Sequence, residues 1–346
     1  MTELLFQNIY FNFATLIVAF VILVKSADLF VDSAIGISND FKIPRMFVGI
    51  VIVSFATTAP EIAVSVISAL NGNSEFAMGN AVGSVIVDDG VALALAAIFA
   101  PSVILIDKSI LKTTGLFLII ADIITYALAY NGVVGRAEGA ILIILLGIYF
   151  AVIFLREKKR KALHLKSMTD EEPEEYETKG SLKRHIIIFM IGLTGVIISS
   201  HFIVKSAEVI ALFFGIPKLI VGLTVIAIGT SLPEISTAVI SARKGEGELA
   251  AGNILGADIL NVLWIIGASA TVNPIDVSKD KITVSTFFFN FTDILSVHFS
   301  FIWMLIIVGL TLLFMRMNYS LSKWKGIILL LVYSVYFYMN LSVFVN

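Results

Sequence analysis

The chain has 346 residues, of which 58% are hydrophobic and 14% charged, and its mean hydropathy is +0.97. Soluble globular domains carry about 25% charged residues, so the composition excludes a soluble domain and indicates a membrane protein with many spans. The chain has no cysteine, which excludes disulfides and thiolate metal sites. A net charge of −2 does not favour nucleic acid as a partner, and we expect none.

Apolar stretches of about 20 residues predict transmembrane helices. We predict ten of them, near residues 9–36, 45–70, 76–100, 109–130, 138–155, 186–213, 218–242, 248–270, 298–316 and 324–345. The N-terminal segment "MTELLFQNIYFNF" has neither the basic region nor the small-residue cleavage site of a signal peptide. We therefore expect a retained first helix rather than a signal peptide.

A hydrophilic stretch from Arg156 to Arg184 interrupts the apolar pattern and contains "REKKRK" and "DEEPEEYE". It divides the chain into a first five-helix repeat (1–155), a linker (156–185) and a second five-helix repeat (186–346). Its basic ends adjoin membrane helices, so the positive-inside rule predicts a cytoplasmic linker, with both termini outside the cell membrane. We interpret the linker as a solvated connection, with a regulatory metal-binding role for its acidic run as the alternative.

The two halves contain an internal repeat. Residues 43–88 align without a gap with residues 216–261 and are identical at 19 of 46 positions. Because five spans is an odd number, the two copies would cross the bilayer in opposite directions. Inverted repeats are typical of secondary transporters with a binding site near the membrane midplane. The sequence thus predicts an all-α membrane protein with ten transmembrane helices arranged as two inverted five-helix repeats.

Each copy has a proline followed by a glutamate inside an apolar run: "TTAPE" at 57–61 and "TSLPE" at 230–234. A charge at the bilayer centre costs at least about 2.5–3.5 kcal/mol, so Glu61 and Glu234 need a partner. No basic residue lies near them in these segments, which favours a bound cation; carboxylates sharing a proton are the alternative. Pro60 and Pro233 are expected to break helices 2 and 7 and free backbone carbonyls, which is tolerated only inside the protein or along a cavity.

Oxygen donors surround these glutamates in the sequence. Together with the carboxylates and freed carbonyls, the nearby hydroxyls form the all-oxygen set that calcium and sodium prefer; they belong to Thr57, Thr58, Thr230 and Ser231. Helices 3 and 8, also expected to be broken, carry "GNAVGSVIVDD" and "GNILGADILN". Their polar residues are Asn80, Ser84, Asp88 and Asp89 in the first copy, and Asn253, Asp258 and Asn261 in the second. We assign Asp89, Asp258, Asn80 and Asn253 to supporting or gating roles.

The stretches "FATTAPEI", "GNAVGSVIVDD", "AIGTSLPEI" and "GNILGADILN" resemble the two alpha repeats of the calcium/cation antiporter superfamily, and among its branches the prokaryotic sodium/calcium exchangers. The resemblance implies four inward side chains that form the ion sites, namely Glu61, Glu234, Asp88 and Asn261. It implies further ligands from Thr57, Thr58, Thr230, Ser231 and Ser84. It also implies a transporter rather than an enzyme, which needs no cofactor, exchanges several sodium ions for one calcium ion and is expected to be monomeric.

Two positions depart from the family pattern. The first copy has "FATT" where the family usually has "GTS". In the second copy, Ala257 stands where the family usually has serine, so the sodium ligand implied at Ser84 has no equivalent hydroxyl in that copy. Coupling to protons or potassium, and a cation channel, therefore stay open as alternatives. The absence of a further glutamate after each "GN" pair favours sodium over protons. Inverted repeats around one midplane site favour an exchanger over a channel.

Overall fold

The computed structural model describes residues 9–167, 181–214, 227–279, 281–285 and 290–345. Within these ranges nine helices are long and apolar enough to cross a membrane. The chain is thus a nearly all-helical, multi-pass membrane protein, as its composition predicts.

The helices, numbered in chain order, overlap the ten predicted spans. They are α1 (Ile9–Phe41), α2 (Arg45–Leu70), α3 (Glu75–Phe99), α4 (Lys108–Leu128), α5 (Arg136–Ser167), α6 (Leu182–Phe213), α7 (Ala227–Thr230 and Leu232–Arg243), α8 (Gly247–Val272), α9 (Ser296–Arg316) and α10 (Lys323–Val345). The first part of the predicted seventh span, up to residue 226, lies outside the described residues.

Both ends of the predicted linker are helical. α5 continues to Ser167 and α6 begins at Leu182, whereas the sequence predicted membrane helices ending at residue 155 and starting at residue 186. The run "REKKRK" consists of good helix formers, so the helix extends beyond the apolar segment. Arg160 stabilises this extension, because it lies 3.6 Å from Glu157 and 2.8 Å from Asp107. The centre of the linker, residues 168–180, lies outside the described residues.

Helix α2 is not broken at Pro60, contrary to the prediction. Its final segment, Ser54–Leu70, runs through this proline as a continuous α-helix, and the departure from α geometry is a π segment at Gly49–Val53. A proline removes one backbone N–H donor. In a membrane protein, neighbouring helices can satisfy the backbone groups that it frees, so the helix continues.

The other three predicted breaks take different forms. In α7 the helix is interrupted at Ser231, and Pro233 lies in the first turn of the segment that follows, where its missing N–H removes no helical hydrogen bond. In α3 and α8 the helices continue as π segments at Asp88–Leu93 and Leu260–Ile265. A π segment inserts one residue into a turn and is frequent at functional sites.

The all-α prediction missed six short strands. Strand β1 (Ile104–Leu105) pairs with β6 (Ser320–Leu321), β2 (Val133–Val134) with β3 (Ile275–Asp276), and β4 (Lys281–Ser285) with β5 (Asn290–Leu295), all antiparallel. Strands β3 to β5 belong to the stretch 271–297, which has no counterpart in the first half of the chain. The segment "KITVS" is rich in β-branched residues, which favour strands.

The buried apolar residues form two clusters. The larger one includes residues of α2 to α5 and α7 to α10. The smaller one is formed mainly by α1 and α6, which pack along each other, and it includes Phe30, Val31 and Val196. Helix α8 is the most enclosed of the nine candidate membrane helices, followed by α3. The two helices that carry Asp88 and Asn261 therefore lie at the centre of the protein.

Candidate cation site

Glu61 and Glu234 approach each other at the centre of the protein. They come from α2 and α7, their side chains interact electrostatically, and their residues are only 6% and 2% exposed. In the part of the chain that the structure describes, neither carboxylate forms an ion pair with a basic side chain. The structure thus brings together two buried carboxylates that have no basic partner among the described residues.

Asp88 and Asn261 join them from α3 and α8. The Asn261 side-chain amide lies 3.5 Å from Oδ2 of Asp88, to which it donates, and both residues are 1% exposed. Asp88 begins the π segment of α3, which packs on α7, while Asn261 lies in the π segment of α8, which packs on α2. Asp88 also interacts electrostatically with Glu61 and Glu234.

Hydroxyl groups lie near Glu61, Glu234 and Asp88. The Thr58 hydroxyl donates to Oε1 of Glu234 over 3.4 Å, and the Thr57 hydroxyl lies 3.3 Å from Oδ1 of Asn253. The Ser231 side chain, at the interruption of α7, faces the carboxylate of Asp88. Thr57, Thr58 and Ser231 are buried, whereas Thr230 is half-buried.

Several oxygens of these residues are buried without a hydrogen-bond partner among the described residues. They are Oε2 of Glu61 and of Glu234, Oδ1 of Asp88 and of Asn261, and Oγ of Ser84 and of Ser231. Buried polar atoms in native structures are normally paired, so this concentration indicates a place for a ligand. Oxygen donors of this kind suit calcium and sodium.

Carboxylates alone do not complete a metal site here. In the ranges that the structure describes, no three aspartate, glutamate, cysteine or histidine side chains converge closely enough to hold a metal ion. Calcium takes about six to eight oxygens. The hydroxyl groups, the Asn261 amide oxygen and backbone carbonyls would have to contribute together with the acids.

The two asparagines that follow the "GN" glycines connect helices rather than contact the glutamates. The Asn80 amide donates to Oγ of Ser65 over 3.0 Å, which links α3 to α2. The Asn253 amide donates to Oγ1 of Thr237 over 3.0 Å, which links α8 to α7. Asn80 therefore links α3 to the helix that carries Glu61, and Asn253 links α8 to the helix that carries Glu234.

Asp89 and Asp258 are fully buried, and the structure places a third aspartate with them. Asp122 of α4 is also 0% exposed and interacts electrostatically with both. Asp122 is not among the residues predicted from the repeat, because α4 lies outside the aligned segments. The available signal was a single aspartate within the apolar run "LFLIIADIITYAL", where an ionisable residue indicates function.

The sequence matches the profile of the sodium/calcium exchanger protein family over residues 11–155 and 184–342, which is most of the chain. The chain belongs to this family. The family consists of transporters, so its members are not enzymes. The match confirms the resemblance that the two repeats predicted.

Two of the proteins that this chain resembles are prokaryotic. It is 34% identical over 263 residues to the inner membrane protein YrbG of Escherichia coli, covering 75% of this chain and 80% of that protein. It is 26% identical over 353 residues to the sodium/calcium exchanger MaX1 of Methanosarcina acetivorans, covering 93% of this chain and 96% of the relative.

The fold is that of a solved exchanger. A structure of the sodium-calcium exchanger NCX_Mj superposes with a TM-score of 0.76 at 22% sequence identity, covering 95% of this chain and 98% of that chain. At 22% sequence identity, this similarity shows a shared fold only. The helical architecture described above is therefore an exchanger architecture.

Proposed function

We propose that the protein is a secondary active antiporter that exchanges sodium for calcium at the buried site between α2, α3, α7 and α8. The ligands we assign are Glu61, Glu234, Asp88, Asn261, Thr57, Thr58, Thr230, Ser231 and Ser84. One observation carries the proposal: two buried glutamates, one from each half of the chain, approach each other and form no ion pair with a basic side chain in the described structure.

Exchange follows from the charge of this site. Three acids, Glu61, Glu234 and Asp88, can balance one calcium ion or several sodium ions, but the same oxygens do not accommodate both sets at once. Binding of one ion then requires release of the other, which makes the site an antiporter site. Sodium is favoured as the counter-ion because both MaX1 and NCX_Mj are named sodium/calcium exchangers.

Alternating access would come from movement of two helices. We propose that the ten helices form two inverted five-helix repeats, 1–155 and 186–346, joined by the cytoplasmic linker, with both termini outside. Helices α1 and α6 would slide across the remaining helices and expose the site to each side in turn. The smaller apolar cluster supports this division, because most of its buried residues belong to α1 and α6 and only four come from α2, α7 and α8, namely Val48, Val53, Ile240 and Leu249.

Calcium-45 uptake into proteoliposomes tests the function. Uptake by the wild type should require an outward sodium gradient and should not be driven by potassium or proton gradients of equal size. A channel would instead carry calcium without any counter-ion gradient. Uptake driven by protons or potassium would contradict the sodium assignment.

The same assay tests the site. Glu61→Gln and Glu234→Gln each remove a negative charge with little change in volume and should abolish sodium-driven calcium uptake. Glu75→Gln, at the exposed start of α3, is the matched control and should transport like the wild type. Undiminished uptake by both site variants would refute the assignment of these glutamates.

A further inference from the structure

A groove lies between α4 and α9, at the end of this helix pair where α4 begins and α9 ends. It has a volume of about 530 Å³ and is lined by residues within 111–119 and 309–319. Most of these residues are apolar, and they include Leu116 and Leu313, whose side chains are exposed at the surface of membrane helices. The groove therefore opens towards the lipid.

Two glycines leave this space open. A Cβ atom at Gly309 would meet no described atom within 4 Å. A Cβ atom at Gly115 would lie 3.0 Å from Cδ2 of Leu312, so this glycine lets the leucine approach the backbone of α4. Protein interiors are normally packed without voids larger than a water molecule. A gap of this size between two helices that contact each other therefore indicates room for a ligand.

Three basic residues stand at the groove. Lys112 and Arg316 line it, and Nζ of Lys108 lies 5.1 Å from the ring centroid of Tyr319, which lines it too. Among the described residues, no carboxylate forms an ion pair with any of the three. Positive charges near one another repel, so an anion between them would be stabilised.

The acid beside these cations is already occupied. Asp107 lies 2.8 Å from Arg160 and also accepts from two backbone N–H groups in the first turn of α4. A further cation, Arg156 of α5, donates to the hydroxyl of Thr113. This end of α4 therefore has an excess of positive charge.

The opposite end of the same helix pair is closed and has no such charge. The ring of Tyr126 on α4 stacks on that of Phe301 on α9 with centroids 5.4 Å apart, and the Tyr126 hydroxyl lies 3.1 Å from Nδ1 of His298. Residues 118–128 of α4 and 296–305 of α9 include no lysine or arginine. The open groove and the basic residues thus occur together, at one end of the pair.

The dimensions of the groove match one leaflet of a bilayer. Its α4 wall, residues 111–119, extends about 12 Å along the helix axis, and one leaflet contributes about 15 Å of hydrocarbon. Tyr319 and the exposed Trp324 lie at its basic end, where Trp324 packs on Phe314 of α9. Aromatic residues of this kind are typical of the headgroup level. The basic end of the groove is therefore placed for a headgroup, and its apolar wall for an acyl chain.

We propose that this groove binds an anionic phospholipid, with its phosphate between Lys112 and Arg316 and an acyl chain along the apolar wall. Basic pockets between membrane helices on the cytoplasmic side are typical sites for anionic headgroups. The proposed topology puts the basic end of the groove on that side. The lipid joins α4 of the first half of the chain to α9 of the second half.

Titration of the purified full-length protein in detergent with radiolabelled phosphatidylglycerol tests the proposal. The wild type should bind one molecule with high affinity. Phosphatidylcholine with the same acyl chains should not displace it at equal concentration, because its headgroup has no net charge. Inorganic phosphate should not displace it either, because it lacks an acyl chain. The assay needs no ion gradient, so its result does not depend on the proposed exchange.

Two variants separate the contribution of the headgroup from that of the acyl chain. Lys112→Gln/Arg316→Gln removes both cations that line the groove and should weaken phosphatidylglycerol binding at least about tenfold. Gly309→Leu keeps every charge but places a side chain in the open space, so it should abolish the high-affinity binding.

Lys183→Gln/Arg184→Gln is the matched control. It also removes one lysine and one arginine, both exposed at the start of α6 on the same side of the membrane in the proposed topology, and it should bind like the wild type. An equal loss in this control would overturn the proposal, because general electrostatic attraction would then explain the binding. Displacement by phosphatidylcholine or by phosphate, or wild-type affinity in either groove variant, would overturn it as well.

Discussion

Six of the buried carboxylates in the described part of the chain have no basic side chain paired with them. Glu61, Glu234 and Asp88 are the acids of the proposed exchange site, and Asp89, Asp122 and Asp258 form the neighbouring cluster. No described lysine or arginine pairs with any of them. The ion pairs that the structure does describe, such as Arg45 with Glu246 and Lys244 with Asp28, involve partly exposed side chains near the helix ends.

At the residue scale, Asp88 and Asn261 allow a charge-swap test. Their side chains lie 3.5 Å apart, so exchanging them moves the charge only by the length of a hydrogen bond. Asp88→Asn alone should weaken calcium binding at least about tenfold, because it removes a charged ligand. The double variant Asp88→Asn/Asn261→Asp should recover most of this loss, measured as calcium-45 binding.

The control for the swap is Asn261→Asp alone, which adds a fourth acid to the site and should not reproduce the loss seen in Asp88→Asn. A double variant that binds calcium as weakly as Asp88→Asn would contradict the placement of the two residues around one ion.

The glutamates could be found from the sequence, whereas the grouping of Asp122 with Asp89 and Asp258 could not. Glu61 and Glu234 stood out because the repeat presents them twice in apolar context, next to proline. Asp122 has no equivalent in the second half, and its neighbours Asp89 and Asp258 occupy unequal positions of the two copies. Only the packing of α3, α4 and α8 shows that these three residues belong together.

At the element scale, helices were predictable and their irregularities were not. Length and hydropathy predict where the membrane helices lie, because the hydrocarbon thickness sets the length of a span. They do not predict that α5 continues beyond its span to Ser167. The prolines predicted where backbone would open, yet α2 remains helical through Pro60 and changes to π geometry at Gly49–Val53 instead. A π segment depends on how neighbouring helices pack, and the hydrophobic periodicity of a sequence does not show this packing. The hairpin of β4 and β5 was missed because a membrane composition favours helix everywhere.

The crossing of α2 and α8 depends on a small residue. A Cβ atom at Gly256 would lie 2.6 Å from the backbone oxygen of Ile50, closer than backbone atoms can tolerate. Gly256→Ala should therefore destabilise the protein by about 1–3 kcal/mol, as overpacking does. Thermal unfolding in detergent measures the change.

Gly309→Ala is the control for that experiment. No described atom lies within 4 Å of a Cβ at Gly309, so the substitution should leave stability unchanged or raise it through the better helix propensity of alanine. Equal destabilisation by both variants would contradict the close approach of α2 and α8.

At the scale of the whole molecule, the proposed inverted arrangement predicts that equivalent turns of the two repeats face opposite sides of the membrane. The chain has no cysteine, so single introduced cysteines report accessibility without background. Asn71→Cys, after α2, should react with an impermeant thiol reagent from outside. Arg243→Cys, at the end of α7, should react only from inside. Both residues are exposed. Labelling of both from the same side would contradict the inverted repeat.

The central position of α2, α3, α7 and α8 could be predicted from the sequence, because the two aligned segments repeat the same pattern. Residues 43–88 and 216–261 carry the same glycine, proline and glutamate positions, and α2, α3, α7 and α8 bring both sets to the centre. The six strands and the extension of α5 and α6 into the linker lie outside the aligned segments 43–88 and 216–261. They do not change the position of the glutamates.

Calcium-45 equilibrium binding under sodium competition tests most directly whether one buried carboxylate site serves both ions. The wild type should bind one calcium ion per protein, and rising sodium should displace it completely, whereas Glu234→Gln should bind none at the same calcium concentration. Calcium binding that sodium does not displace, or that Glu234→Gln retains in full, would contradict exchange at this site.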